Sequence, residues 1–583
     1  MNSKKTSNHY TARNKIGLIG GVIILLLILI SPAPSSMYNV AAKSALAKAD
    51  AAFIKNAVAE NIIETDPNGK LAAIKDLDRF LVFSKAQAPK VHSLIIKKTT
   101  AMKGCLAVMM TMVIWWICES LPWGVTALLP VALFPLLGVA NAKATCAPYG
   151  NPTILFFIAA FFIAQALLKW NLHTRIALAI VSKIGVSPKR IVLGFMAACA
   201  FLSMLISNTA TTMMMMPMAL AIILHTAQVG QRLQEKGQLQ SVDFTAGKYV
   251  FGSCLMLGIA FSANSGGMGT IIGTPPNMIF AGQLSMLFPN APKVDFANWL
   301  ILGLPLSIVT TLAIWFLLVY LLRRPEIKEI PGGADLIKEE RSKLGAWTKG
   351  EKVVGTILLL TALAWIFRAE KMIGGVKIIG LSTFFPWVHD STIAIIAAIL
   401  LFSIPISLEK NDFALSWDWA VKIPWGIVLL FGGGFSLAAG LTSTGAATWI
   451  ASLLTGLAGM PLFWLMLVIA LVVAALSTVA TNTATATVFM PILGTLAIAT
   501  SFDPRFLMAL GALASQCAYA LPVSTTCNAI CFGSGYIRMM DMFKYGLIIA
   551  FIGVLIVVVG LLTLGGPSFG MSPYVVPSWL TAP

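Results

Sequence analysis

Charge is what this sequence has least of. Only 11% of its residues are Asp, Glu, Lys or Arg, against roughly 25% in soluble domains, and that deficit excludes an ordinary water-soluble globule. Histidine is scarcer still. His9, His92, His173, His225 and His389 lie in terminal or loop-proximal stretches without metal or catalytic spacing, so they are expected to be solvated. No H-E-x-x-H zinc motif, paired-Asp motif or nucleophile beside a base is present, which argues against an intramembrane enzyme. The apolar segments are nearly bare of carboxylates, which argues against a channel or proton antiporter built on charged rings. The eight cysteines, Cys105, Cys118, Cys254, Cys517 and Cys531 among them, show neither disulfide nor metal-ligand spacing and read as packing residues.

What is abundant is apolar sequence. At 58% apolar residues and a mean hydropathy of +0.85, the 583-residue chain is a polytopic membrane protein. Its formal charge of +18 fits basic residues that hold cytoplasmic loops in place, not a nucleic-acid partner. An apolar run from Ile16 to Ile30 follows Lys4, Lys5, Arg13 and Lys15 and ends in Ser31-Pro32-Ala33-Pro34. It fits a signal peptide or a first transmembrane helix. Ser35 to about Lys98 is polar, with helical patterns at 39–63 and 71–83 around a turn at Asp66-Pro67-Asn68-Gly69, and reads as a helical extramembrane insertion. Apolar segments at 104–118, 122–139 and 153–168 come next. Glu119, at a Pro-marked corner between the first two, reads as a water-facing structural residue and not as a site.

Two stretches break the apolar pattern in the same way. Ser203–Pro217 reads S-M-L-I-S-N-T-A-T-T-M-M-M-M-P, and Ser477–Pro491 reads S-T-V-A-T-N-T-A-T-A-T-V-F-M-P. Each is followed by a second irregular stretch, Ser262–Asn277 after the first and Leu521–Asn528 after the second. Such residues free backbone groups, which a membrane tolerates only where protein or a water-filled cavity satisfies them. Paired breaks at matching positions of two halves mark a transporter binding site. Lys169, Arg175, Lys183, Lys189 and Arg190 place the entry to the first stretch on the cytoplasmic side. Segment 191–224 then reads as a re-entrant hairpin leading to a polar loop from Gln228 to Lys248, 249–284 as a broken helix and 299–322 as a crossing. Crossings at 352–367, 391–407 and 424–440, a hairpin at 463–500, a broken helix at 506–536 and a last crossing at 545–564 repeat the plan inverted. The total is eleven crossings and two hairpins. Met213 to Met216 face all round a helix and are packing residues.

On Ser207-Asn208-Thr209, Thr481-Asn482-Thr483, the loop ending G-T-P-P-N at Asn277, Leu521-Pro522-Val523, Phe431-Gly432-Gly433-Gly434 and Glu119-Ser120-Leu121-Pro122, the chain resembles the divalent anion:sodium symporters, sodium-coupled carriers of dicarboxylate, citrate or sulfate. The likeness runs from about Cys105 to the last apolar segment. It implies an all-α fold of inverted repeats working as an elevator, a homodimer in a bilayer, and a first transmembrane helix rather than a signal peptide. The implied units are 1–34, scaffold at 99–190 and 285–462, transport-unit repeats at 191–284 and 463–564, and a tail at 565–583; the insertion at 35–98, where family members usually have a shorter connection, reads from the sequence itself as an extracytoplasmic passive cap or dimer contact. Asn208, Thr209, Asn482, Thr483 and Thr525 are the implied anion ligands. Ser203, Ser207, Asn208, Gly266 and Gly267 would hold one sodium ion, and Ser477, Ala480, Asn482 and Ser524 a second. The expected activity is sodium-driven uptake of a C4-dicarboxylate across a bacterial inner membrane, with the N-terminus cytoplasmic and the C-terminus outside. Sulfate or citrate transport, or exchange without sodium, is the alternative. Gly432 to Gly434 would let a helix bend. The chain departs from the family at Ser524-Thr525-Thr526-Cys527-Asn528, where relatives commonly show A-T-P-P-N.

Overall fold

A computed structural model describes residues 12–581 apart from 48, 66–70, 186, 237–241, 327–332, 374–375, 454–455, 457–458 and 573–576. Among the described residues ten helices are long and apolar enough to cross a membrane, and shorter apolar helices lie at Trp123–Leu136, Asp390–Ser403 and Pro504–Ala514. The described strands form only two-stranded ribbons. The first helix, Ala12–Ile30, lies along Pro89–Ile117. Glycine permits the approach: a Cβ on Gly17 would fall 2.2 Å from that of Cys118, and one on Gly21 would fall 2.2 Å from the Trp115 indole nitrogen. Trp115 Nε1 donates to Leu18 O at 3.2 Å, fastening the pair.

The stretch expected to be a helical insertion has its own small core, in which Ala41, Ala45, Phe53, Ala57, Ile63, Phe80 and Ile95 are buried together. It is not wholly helical. Ile63–Thr65 pairs antiparallel with Leu71–Ile74, so the patterns expected to be helical at 39–63 and 71–83 each give a strand at the ends that face one another. The Asp66–Gly69 turn expected between them lies outside the described residues. The following helix starts at Pro89 rather than near residue 104, because Ile95 belongs to this core while the same helix continues into the apolar body.

Two further expectations are corrected, and the glycine run at 432–434 gains its packing partners. His173 is buried, with Nδ1 3.0 Å from Leu167 O, because its helix, Leu172–Ile184, packs closely on Pro188–Ser203. The polar stretch after Gln228 stays helical to Glu235, since its polar side chains can face solvent without breaking the backbone pattern. Gly432, Gly433 and Gly434 sit inside one uninterrupted helix, Trp425–Thr444. They are points of close approach: added Cβ atoms would lie 2.0 Å from the Tyr149 ring, 2.2 Å from Ala127 O and 2.7 Å from Thr487 Cγ2.

Candidate functional site

The two duplicated stretches each form a pair of helices joined by a short turn at the polar triplet. The first pair is Pro188–Ser203 and Asn208–Glu235; the second is Leu462–Val479 and Asn482–Ala499. The turns are capped alike. Ser207 Oγ accepts from Ala210 N and Thr481 Oγ1 from Ala484 N, both at 3.3 Å, so each triplet opens a helix with its amides facing the turn.

The two broken segments match down to single hydrogen bonds. In the first, Val250–Gly267 stops and Pro275–Leu287 restarts; in the second, Pro504–Ala514 stops and Thr526–Phe532 restarts. Asn277 Nδ2 donates to Gly267 O (3.0 Å) and Thr270 O (2.8 Å), ten and seven residues back. Asn528 Nδ2 donates to Ala518 O (3.3 Å) and Leu521 O (3.0 Å), again ten and seven residues back. Each Asn closes its loop by satisfying carbonyls that the broken helix leaves without partners.

Four helix starts converge on one cavity of about 260 Å³. Its wall takes in Ser207, Asn208 and Thr209, then Thr481, Asn482 and Thr483, then Thr274 and Pro275, then Ser524, Thr525 and Thr526. All five residues expected to hold the anion therefore line a single space. The helices opening at Asn208, Pro275 and Asn482 run for 28, 13 and 18 residues, and each brings about half an elementary positive charge. Among the described residues no Lys, Arg or His lines the cavity. Compensation for an anion thus falls to amides, hydroxyls and helix ends, with co-bound cations as the remaining source of positive charge.

The residues expected to hold sodium lie mostly behind that wall. Ser203, Gly266 and Gly267 are buried. Ser203 Oγ stands 2.5 Å from Asn208 Oδ1 and 2.6 Å from Ala263 O, although its one proton can serve only one of them. That crowding of oxygens is what a hard cation relieves. Gly267 joins it, since a Cβ there would fall 2.8 Å from Asn208 Oδ1. Gly266 packs on the Ala200 backbone instead, with room for no side chain. On the second side, Ser524 Oγ faces both Ala518 O (2.9 Å) and Leu521 O (2.6 Å), and the Ser477 hydroxyl is buried without a partner among the described residues. Ala480 sits at the extended end of its helix, next to the triplet. Asn482 Oδ1 accepts from Thr483 N at 2.8 Å and faces the Thr483 hydroxyl at 3.2 Å. The oxygen-only donor sets fit sodium as a co-transported ion.

Sequence reasoning set Glu119 aside and passed over Asn264 and Trp123, which all line the cavity. The left-handed backbone at Glu119 (φ +51°) marks a tight corner, and its carbonyl accepts from Asn14 Nδ2 at 2.7 Å. Asn264 had a legible signal, a lone amide in a helix otherwise built of apolar and small residues.

Among known proteins, the family model described as "Sodium:sulfate symporter transmembrane region" matches residues 92–567. The sodium-dependent dicarboxylate transporter SdcS of Staphylococcus saprophyticus is 38% identical over 468 residues, 80% of this chain and 86% of that protein. SdcS of Staphylococcus aureus strain NCTC 8325 is 40% identical over 454 residues, covering 78% and 84%. Two solved structures share the fold at low identity. Neisseria gonorrhoeae MtrF, from a class of antimetabolite efflux pumps, has a TM-score of 0.50 at 10% identity, covering 93% of this chain and 94% of its own. The Alcanivorax borkumensis YdaH transporter has a TM-score of 0.50 at 12% identity, covering 95% and 99%.

Proposed function

Because the chain belongs to the sodium:sulfate symporter transmembrane-region family, we propose that it couples sodium entry to uptake of a C4-dicarboxylate such as succinate, malate or fumarate. It is a carrier and not an enzyme. The observation that carries the reading is the meeting of both polar triplets and four helix starts on one cavity that no cationic side chain lines among the described residues. A dianion there needs more positive charge than the helix ends supply, and sodium bound in the oxygen clusters at Ser203–Asn208 and at Ser477–Ser524 provides it. Binding of ion and anion is thereby mutually favourable, which is the basis of coupling. The SdcS proteins, named as sodium-dependent dicarboxylate transporters, support the substrate class.

Asn208, Thr209, Asn482, Thr483 and Thr525 contact the anion in this reading, one half of the repeat holding each end. Ser203, Ser207, Asn208, Gly266 and Gly267 serve the first sodium ion, Gly266 by close packing, and Ser477, Ala480, Asn482 and Ser524 the second. Eleven crossings and two re-entrant hairpins form an inverted repeat. Residues 191–284 and 463–564 move as an elevator against the rest, which pairs as a homodimer in a cell membrane with the N-terminus cytoplasmic. Each net charge carried through 100 mV contributes about 2.3 kcal/mol, so more than two sodium ions per dianion would make uptake electrogenic.

The test is uptake of labelled succinate into proteoliposomes under an inward sodium gradient or a matched choline gradient, with malate, citrate and sulfate as competitors. Sodium-dependent uptake that falls at least a hundredfold in both Asn208→Ala and Asn482→Ala is expected. Uptake that requires internal dicarboxylate and ignores sodium would replace symport by exchange, and sulfate transport without succinate transport would replace the substrate.

A further inference from the structure

Thr525 stands out among the cavity hydroxyls by what already binds it. Its Oγ1 accepts from Asn528 N at 3.2 Å, as the cap of the restarted helix, and from Asn264 Nδ2 at 3.2 Å. A threonine hydroxyl has two lone pairs and one proton. Two N–H donors occupy both lone pairs, so the only remaining capacity of this hydroxyl is to donate. Among the described residues no acceptor takes that proton, and Thr525 faces the cavity. The matched position in the other half differs. Thr274 also precedes a helix start on the cavity wall, but its side chain makes no capping bond and its Oγ1 is buried without a partner among the described residues. Nothing commits Thr274 to donating.

Asn264 reaches Thr525 from the opposite half of the molecule, 261 positions away in sequence, and is 1% exposed. An Asn so deeply buried in a helix of apolar and small residues costs stability unless its amide is used; its Nδ2 is spent on Thr525, while its Oδ1 is buried without a partner among the described residues.

We propose that Asn264 is a positioning residue for anion recognition: by donating to Thr525 Oγ1 it turns that hydroxyl into a dedicated donor aimed at a substrate carboxylate. This rests on the dicarboxylate symporter reading. Without Asn264 the Thr525 hydroxyl regains a free lone pair and can rotate to accept, facing the carboxylate with an acceptor for part of the time. The sodium clusters involve neither Asn264 nor Thr525, so the loss falls on the anion.

The experiment is a double-mutant cycle on the full-length protein, reading the succinate dissociation constant at saturating sodium and the sodium half-saturation of uptake at saturating succinate. Asn264→Leu is expected to weaken succinate about tenfold and to leave sodium half-saturation within twofold. Asn264→Ala, which leaves room for a water able to donate in place of the amide, is expected to weaken it less. In a Thr525→Val background, Asn264→Leu should cost less than twofold more. An equal loss in both backgrounds, an unchanged succinate affinity, or a sodium half-saturation that moves as far as the succinate constant would overturn the proposal. If Thr525→Val binds too weakly to titrate, the split between succinate and sodium in Asn264→Leu decides. Wild-type vesicles with no sodium-dependent dicarboxylate uptake would instead overturn the function reading itself, an outcome seen before any variant is made.

Discussion

The loops at 264–277 and 515–528 follow one hydrogen-bonding plan with different residues. Both close through an Asn that donates ten and seven residues back. The first loop is tight and glycine-rich. A Cβ on Gly273 would lie 2.6 Å from Gly267 O and 2.9 Å from Ser203 O, and Pro275-Pro276 restart the helix. In the second loop Ser524 occupies the position of Gly273, its hydroxyl facing Ala518 O and Leu521 O, and Thr526-Cys527 stand where the prolines were. The shared feature is the closing amide, which satisfies carbonyls that a membrane interior would otherwise leave unpaired. What varies is how the turn is stiffened, by steric restriction in one half and by side-chain hydrogen bonds in the other.

The largest test of that comparison removes the shared element. Asn277→Leu strips bonds to Gly267 O, Thr270 O and Gln516 Nε2; at about 1–3 kcal/mol for each buried group left unpaired, folding should weaken by at least about 3 kcal/mol and uptake should vanish. Asn528→Leu should abolish uptake as well. Thermal unfolding of both variants with and without sodium checks this, and full sodium stabilisation in either one would mean that the two loops are not equivalent.

Exchanging the variable element gives a smaller, asymmetric effect. Gly273→Ser has no room for its side chain and should raise sodium half-saturation at least tenfold. Ser524→Gly loses hydrogen bonds worth about 1–2 kcal/mol and should raise it severalfold. Sodium titration of uptake compares them, and equal effects would dissolve the contrast. The smallest effect is expected from Thr526→Pro. Thr525 has φ −143° and ψ 151°, within the range allowed before proline, and the first helical position tolerates proline. Uptake should stay within twofold of wild type, with stability raised by about 0.5 kcal/mol.

Ser207-Asn208-Thr209 and Thr481-Asn482-Thr483 were legible because polar residues stand out against apolar sequence, and their repetition in order ruled out chance. The same contrast could have exposed Asn264, but a single amide carries no indication of its partner. Gly432 to Gly434 were only partly legible for a related reason. Glycine reports that a side chain is not wanted, and whether the cause is a bend or a neighbouring ring depends on what packs there, in this case Tyr149, Ala127 and Thr487.

By itself the sequence determined the membrane class, the two halves and the kind of chemistry available, because hydropathy, breaks and residue type are local properties. Only the tertiary structure decided that Asn264 meets Thr525 across 261 positions, that Gln516 Nε2 donates to Asn277 Oδ1 at 2.8 Å across 239, and that Glu119 lies on the cavity wall. Those outcomes depend on how packed helices bring distant backbone breaks together, and the direction of a hydroxyl proton follows from which donors arrive there.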